Sequence, residues 1–266
     1  MSKKVLMLHG YAQSGTIFQS KTGAFRKHLK KLGFELFYPC APSKIRMTDV
    51  RDTDDFATTY NTSATAIDIF GWWLRDANNQ YKVPQETVDF LHDYIVENGP
   101  FDGIIGFSQG AGYAGYLCTD IRGLLGLSES QQPDPKFFIT FNGFRMRPEW
   151  FQAQYEKRLL QVPSLHVLGE LDTVVDESQV MRLYESCDPE KRTLLKHPGG
   201  HFVPSSKSFV TKVTNWLQVV YGDIAVEGSN ADADENKSKN GSTTDAATEP
   251  QIDDDLMSII DGFGKV

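Results

Sequence analysis

Residues 102–115 read Asp-Gly-Ile-Ile-Gly-Phe-Ser-Gln-Gly-Ala-Gly-Tyr-Ala-Gly, and no other stretch limits the fold as much. Ile and Phe make the first half a buried strand, and Ala and Gly make the second half a closely packing helix. Between them stands Ser108, inside the pattern G-x-S-x-G. A strand that runs through a sharp turn into a helix cannot pair back on itself, so the chain is committed to crossover connections. Gly106 and Gly110 remove the side chains that would collide across that turn. The serine hydroxyl is then expected to project from the sheet edge, against the first N–H groups of the helix.

The rest of the chain repeats this rhythm. Apolar runs at 4–8, 34–40, 102–107, 136–141, 164–168 and 192–196 read as strands. Helical segments are expected at 16–32, 84–98, 109–123, 175–186 and 206–221. Strands separated by helices predict an α/β fold: a mostly parallel sheet, helices on both faces, functional groups at the carboxyl ends of the strands. Residues 1–222 are expected to form one domain. Residues 43–83 interrupt the pattern as a lid-like insertion, carrying Phe56, Tyr60, Phe70, Trp72, Trp73 and Tyr81. Residues 223–266 form an acidic low-complexity tail that cannot bury enough apolar surface to order itself, with a short apolar end at Leu256–Ile260. That end reads either as a frayed terminus or as a short helix that docks on the body or on a protein partner.

Charge favours neither of two partner classes. The tail holds eleven acidic and three basic residues, so the whole net charge of −8 lies in it and residues 1–222 are balanced. A neutral body offers no electrostatic footprint for nucleic acid or an anionic membrane. No apolar run is long enough to span a bilayer. Three scattered cysteines, Cys40, Cys118 and Cys187, have neither disulfide-framework nor metal spacing and fit a reducing compartment. A cytoplasmic location is expected, with the nucleus also open to the chain.

A serine needs a base to become a nucleophile. Of the six histidines, His28 and His92 lie in helical patterns, His166 lies within a strand as a core residue, and His9 belongs to the loop after the first strand. His197 and His201 flank Pro198-Gly199-Gly200 after the last strand. The spacing resembles a metal pair on a helix, but Pro and two glycines forbid the helix, so no metal is expected. His201 is preferred as the general base, because the Gly-Gly pair lets the loop return its side chain over the sheet edge. The acid that orients it belongs in the loop after strand 164–168, where Asp172 is preferred over Glu170 and Asp176; Asp176 also reads as a helix cap. The backbone N–H groups of Gln109 and Tyr11 are the expected oxyanion donors. Trp72, Trp73, Phe144 and Met146 are expected to wall an acyl pocket, or else to be ordinary core.

The motifs LHGYAQSG at 8–15, NGPFDGIIGFSQGA at 98–111, HVLGELDTVV at 166–175 and HPGGHFVP at 197–204 together resemble the fungal FSH-type serine hydrolases. This is a branch of the α/β-hydrolase fold with animal relatives. The resemblance implies a sheet of about six strands lacking the first strands of larger hydrolases. It also implies Ser108, Asp172 and His201 as a triad, esterase-like hydrolysis of acyl esters, and no cofactor. The tail after residue 222 lies outside the shared motifs. A thioesterase acting on acyl-CoA or carrier-bound acyl groups is the alternative, with Lys44, Arg46 or Arg51 meeting phosphates. A catalytically idle interaction module is the rival from another class.

Overall fold

The computed structural model describes residues 3–46, 68–76, 78 and 80–222. Its main sheet has six strands in the order β2-β1-β5-β6-β7-β8, every neighbouring pair parallel. The strands are β1 (Lys3–Leu8), β2 (Phe34–Phe37), β5 (Gly103–Phe107), β6 (Phe137–Phe141), β7 (Ser164–Gly169) and β8 (Arg192–His197). The central strands β5 and β6 are buried throughout, whereas the edge strands β2 and β8 carry half-buried residues. This is the profile of a parallel sheet covered on both sides.

The two-residue period of the strands divides the core. Val5, Met7, Ile105, Phe107, Ile139, Phe141, Leu165 and Val167 face one way. There they meet Phe25 and Leu29 of α2 (Gly23–Lys31) and Phe209, Val210, Val213 and Leu217 of α8 (Lys207–Tyr221). Leu6, Leu8, Ile104, Phe138 and Leu168 face the other way. They meet α3 (Gln85–Asn98), α4 (Gln109–Leu117), α5 (Ile121–Leu125), α6 (Glu149–Lys157) and α7 (Glu177–Glu185). Burying this apolar surface on both faces is the main favourable term in folding.

Two expectations are corrected, and one unexpected helix is added. The helix expected over 16–32 is two helices, α1 (Gly15–Lys21) and α2, broken at Thr22. The Thr22 hydroxyl bonds back to the Phe18 carbonyl and out to the Tyr38 hydroxyl, which competes with a continuous helix. The helix expected over 109–123 ends at Leu117, and Asp120 caps the next one through Gly123 N–H. The helix α6 was not anticipated, although Pro148 precedes it and Phe151 and Tyr155 supply a buried i, i+4 pair. Within the insertion, β3 (Ser43–Ile45) and β4 (Ile69–Gly71) pair antiparallel. Phe56, Tyr60, Arg51 and the tail lie outside the described residues. Among the described residues no helix is long and apolar enough to cross a membrane.

Candidate active site

The turn after β5 is built as the sequence requires. Ser108 sits at φ 51°, ψ −115°, a region that costs a side-chain-bearing residue about 1–3 kcal/mol. Its N–H donates to Phe141 O at 2.9 Å, which ties the turn to the end of β6. A Cβ on Gly106 would lie 2.4 Å from Gly110 O, and one on Gly110 would lie 2.1 Å from Leu8 O. Both positions are therefore closed to any other residue. The approach at Gly110 also lays the loop after β1 against the first turn of α4.

Two further loops converge on Ser108. After β7, the Asp172 side chain is fully enclosed, and its Oδ1 accepts from the N–H groups of Val174 (2.8 Å) and Val175 (2.9 Å). After β8, the chain returns over this loop: Leu171 N–H donates to Gly199 O at 3.0 Å, and Glu170 N–H donates to His197 O at 2.9 Å. His201 is thereby placed between the two. Its Nδ1 lies 2.7 Å from Asp172 Oδ2 and its Nε2 lies 2.9 Å from Ser108 Oγ. A carboxylate only accepts, so Nδ1 carries the proton and Nε2 is left to accept from the serine hydroxyl. Burial acts to raise the Asp172 pKa. The hydrogen bond from His201, its charge and the two loop amides outweigh burial and hold the carboxyl below the usual range.

The rival residues fall elsewhere. Asp176 caps α7 in a capping box with Gln179, the cap role set beside its candidacy. Glu170 is exposed. His197 packs against the rings of Phe202 and Phe209, and burial pulls its pKa down. His166 is a core residue bonded to Thr140 and Ser164, its pKa lowered by burial to about 3. His9 is also enclosed. Its Nδ1 meets Gly10 O at 2.7 Å, its Nε2 accepts from Ala41 N–H at 3.0 Å, and burial, against the Gly10 bond, lowers its pKa to about 4.

Two residues near Ser108 do more than sequence reading expected. The Gln109 side chain accepts from Trp72 N–H at 2.8 Å and donates to Trp73 O at 2.9 Å, clamping the returning insertion to the helix that follows Ser108. Asn142, after β6, donates from Nδ2 to Asp172 Oδ2. Its signal in the sequence was Asn-Gly at the carboxyl end of a strand.

Trp72, Trp73, Phe144 and Met146, expected as pocket walls or as ordinary core, are packed into the core at 0 %, 1 %, 8 % and 0 % exposure. Trp73 stacks on Tyr81, and Trp72 Nε1 donates to His9 O at 2.9 Å. Among the described residues Trp72 and Trp73 both pack on Tyr113, and Trp73 also meets Phe144 edge-on. Lys44, offered as a phosphate contact, is paired with Asp68.

A profile described as "Serine hydrolase (FSH1)" matches residues 1–213. Family of serine hydrolases 3 of Saccharomyces cerevisiae is 48% identical over 271 aligned residues, covering 99% of this chain and 98% of that protein. The alignment takes in the acidic tail, which the profile leaves out. Esterase OVCA2 of Danio rerio is 34% identical, covering 77% of this chain and 92% of its own. Among solved structures, Zea mays acyl-protein thioesterase 2 superimposes with a TM-score of 0.51 at 17% identity, covering 83% of this chain and 94% of that one, a likeness of α/β-hydrolase fold. The sheet order, the strained turn and the profile match converge: the chain belongs to the FSH1 family of serine hydrolases.

Proposed function

We propose that this chain hydrolyses acyl esters through a covalent acyl-enzyme on Ser108, with His201 as general base and acid and Asp172 as its orienting carboxylate. The observation that carries the reading is the continuous hydrogen-bonded chain Ser108 Oγ–His201 Nε2 and His201 Nδ1–Asp172 Oδ2 at 2.9 and 2.7 Å. As Ser108 attacks the carbonyl carbon, its proton passes to His201 Nε2, and the imidazolium is held by Asp172. Negative charge grows on the carbonyl oxygen. The N–H groups of Gln109 and Tyr11 are assigned to hold it. Gln109 opens α4, where first-turn N–H groups have no intrahelical acceptor. One such donor typically contributes about 3–4 kcal/mol to transition-state stabilisation. His201 then protonates the leaving alcohol, and water repeats the sequence to release the acid. Related proteins carry the name esterase, which fits the same chemistry.

A thioester substrate needs the same residues and differs only in its leaving group. Kinetics on matched oxygen and sulfur esters of one acyl chain separate the two, with faster turnover of the oxygen ester expected. Ser108→Ala is expected to lower kcat by several orders of magnitude on either. Retention of most turnover by that variant overturns the assignment.

We assign the protein to the cytoplasm, a reading supported by the free thiols of Cys40, Cys118 and Cys187. The acidic tail is proposed as an arm for a protein partner, tested by comparing partner capture with and without residues 223–266.

A further inference from the structure

Asn142 meets the proposed triad from the side. It follows β6, is fully buried, and takes a positive φ of 52°, a conformation that Asn tolerates better than most residues. Its backbone N–H donates to Val167 O at 2.9 Å, fixing it at the carboxyl edge of the sheet. Its side-chain Nδ2 donates to Asp172 Oδ2, the same oxygen that accepts from His201 Nδ1. The other end of the amide, Oδ1, is buried and has no hydrogen-bond partner among the described residues. Turning the amide over would set two acceptors face to face, so the network fixes Nδ2 toward the carboxylate. A buried amide with one unpaired end is a cost to folding, and it is offset at the end that reaches Asp172.

We propose that Asn142 is a positioning residue of the acyl-transfer reaction: its amide fixes Asp172 Oδ2 in line with His201 and takes up part of the charge that holds the imidazolium. The inference rests on the triad reading above. Without the amide, Asp172 keeps the Val174 and Val175 N–H groups on Oδ1, but its Oδ2 charge is shared with His201 alone. The imidazolium is then held more tightly. Because turnover requires the neutral ring, the acidic limb of the pH profile moves to higher pH.

Other charged groups do not account for such a movement. Glu170 shares the loop of Asp172, and His197 shares that of His201 and feels the charges of both acids. Both are unchanged by substitution at 142. Asp176 is engaged as the α7 cap. His9, in the loop after β1, is enclosed and bonded to Ala41 N–H. Arg145 turns away toward Tyr155 and Glu156. The first turn of α4 carries no titratable side chain.

The test uses the full chain and records kcat and KM for an ester across pH in wild type, Asn142→Gly, Asn142→Ala and Ser108→Ala. Gly and Ala both delete the donor, but only Ala retains a Cβ at positive φ, so thermal unfolding separates backbone strain from loss of the bond. Both variants are expected to move the acidic limb of kcat/KM to higher pH. Both are expected to lower kcat with KM nearly unchanged, because Asp172 Oδ2 loses the bond that keeps it in line with His201. Asn142→Ala is expected to melt lower than Asn142→Gly. A limb that stays in place in either folded variant overturns the inference and leaves the triad standing. Retained turnover in Ser108→Ala overturns the triad reading instead.

Discussion

Replacing Asp172 with Asn changes one heavy atom and little volume, yet the surrounding donors turn it into a severe lesion. Asp172 Oδ1 accepts two backbone N–H groups, while Oδ2 accepts His201 Nδ1–H and Asn142 Nδ2–H. A carboxylate satisfies all four donors, and a carboxamide cannot. If its oxygen stays with Val174 and Val175, its NH2 faces the Asn142 amide and His201 Nδ1. The ring must then accept at Nδ1, so its proton moves to Nε2. His201 now donates to Ser108 Oγ when it should accept, and the base is lost. Chemistry that depends on this tautomer falls by about 10⁴ in kcat. The donor facing Asn142 adds a stability loss of about 1–3 kcal/mol. The assay is steady-state ester hydrolysis with denaturant unfolding on the same samples. Asp176→Asn is the matched control. It disturbs only the α7 cap, so activity is expected to stay within about twofold and stability within about 1 kcal/mol of wild type. If Asp172→Asn keeps activity within tenfold of wild type, or Asp176→Asn is the variant that fails, the orientation argument is refuted.

Other consequences can be read from the same structure. His9 and His166 are buried with pKa values lowered to about 4 and about 3. Between these values and about 6.5 the unfolded chain binds protons that the folded chain refuses, so stability falls as pH drops through that window. Each group adds a slope of up to about 1.4 kcal/mol per pH unit, and urea midpoints of wild type and His166→Gln, measured from pH 7 to 4, should show the variant losing one proton's worth of slope. Asp172 shifts the opposite way for an acid: its lowered pKa adds stability above the ordinary carboxylate range, lost as pH falls through the folded value. Asp172→Asn should therefore lessen the further loss seen below about pH 4. Gln109→Ala leaves Trp72 N–H and Trp73 O buried without their partner. It should cost on the order of 3 kcal/mol in unfolding experiments and slow turnover, while Ser108 stays reactive.

Much of this was legible in the residues, for identifiable reasons. The strand-to-helix turn at Ser108 announced itself because only glycine fits at 106 and 110, where a Cβ would strike backbone. The cap role of Asp176 was readable, since Asp176 with Gln179 three residues on is a capping signature. Other features were hidden because they depend on contacts between distant segments. Thr22 breaks its helix through a bond to Tyr38, which no helical periodicity registers. The pairing of β3 with β4 closes across the long insertion, and a three-residue strand leaves no period to detect. Pocket wall and ordinary core both stayed open for Trp72 and Trp73, because an aromatic cluster has the same composition whether it faces a ligand or its own neighbours. Asn142 drew no notice because a single polar residue after a strand is ordinary until its partner, thirty residues on, is brought to it.

Covalent labelling with a fluorophosphonate probe, followed by peptide mass mapping, bears most directly on the origin of the reactive alcohol. The folded chain is expected to take up one label, on Ser108, and His201→Ala is expected to take up almost none at the same exposure. A label on any other residue, or undiminished labelling of Ser108 once His201 is gone, contradicts the account.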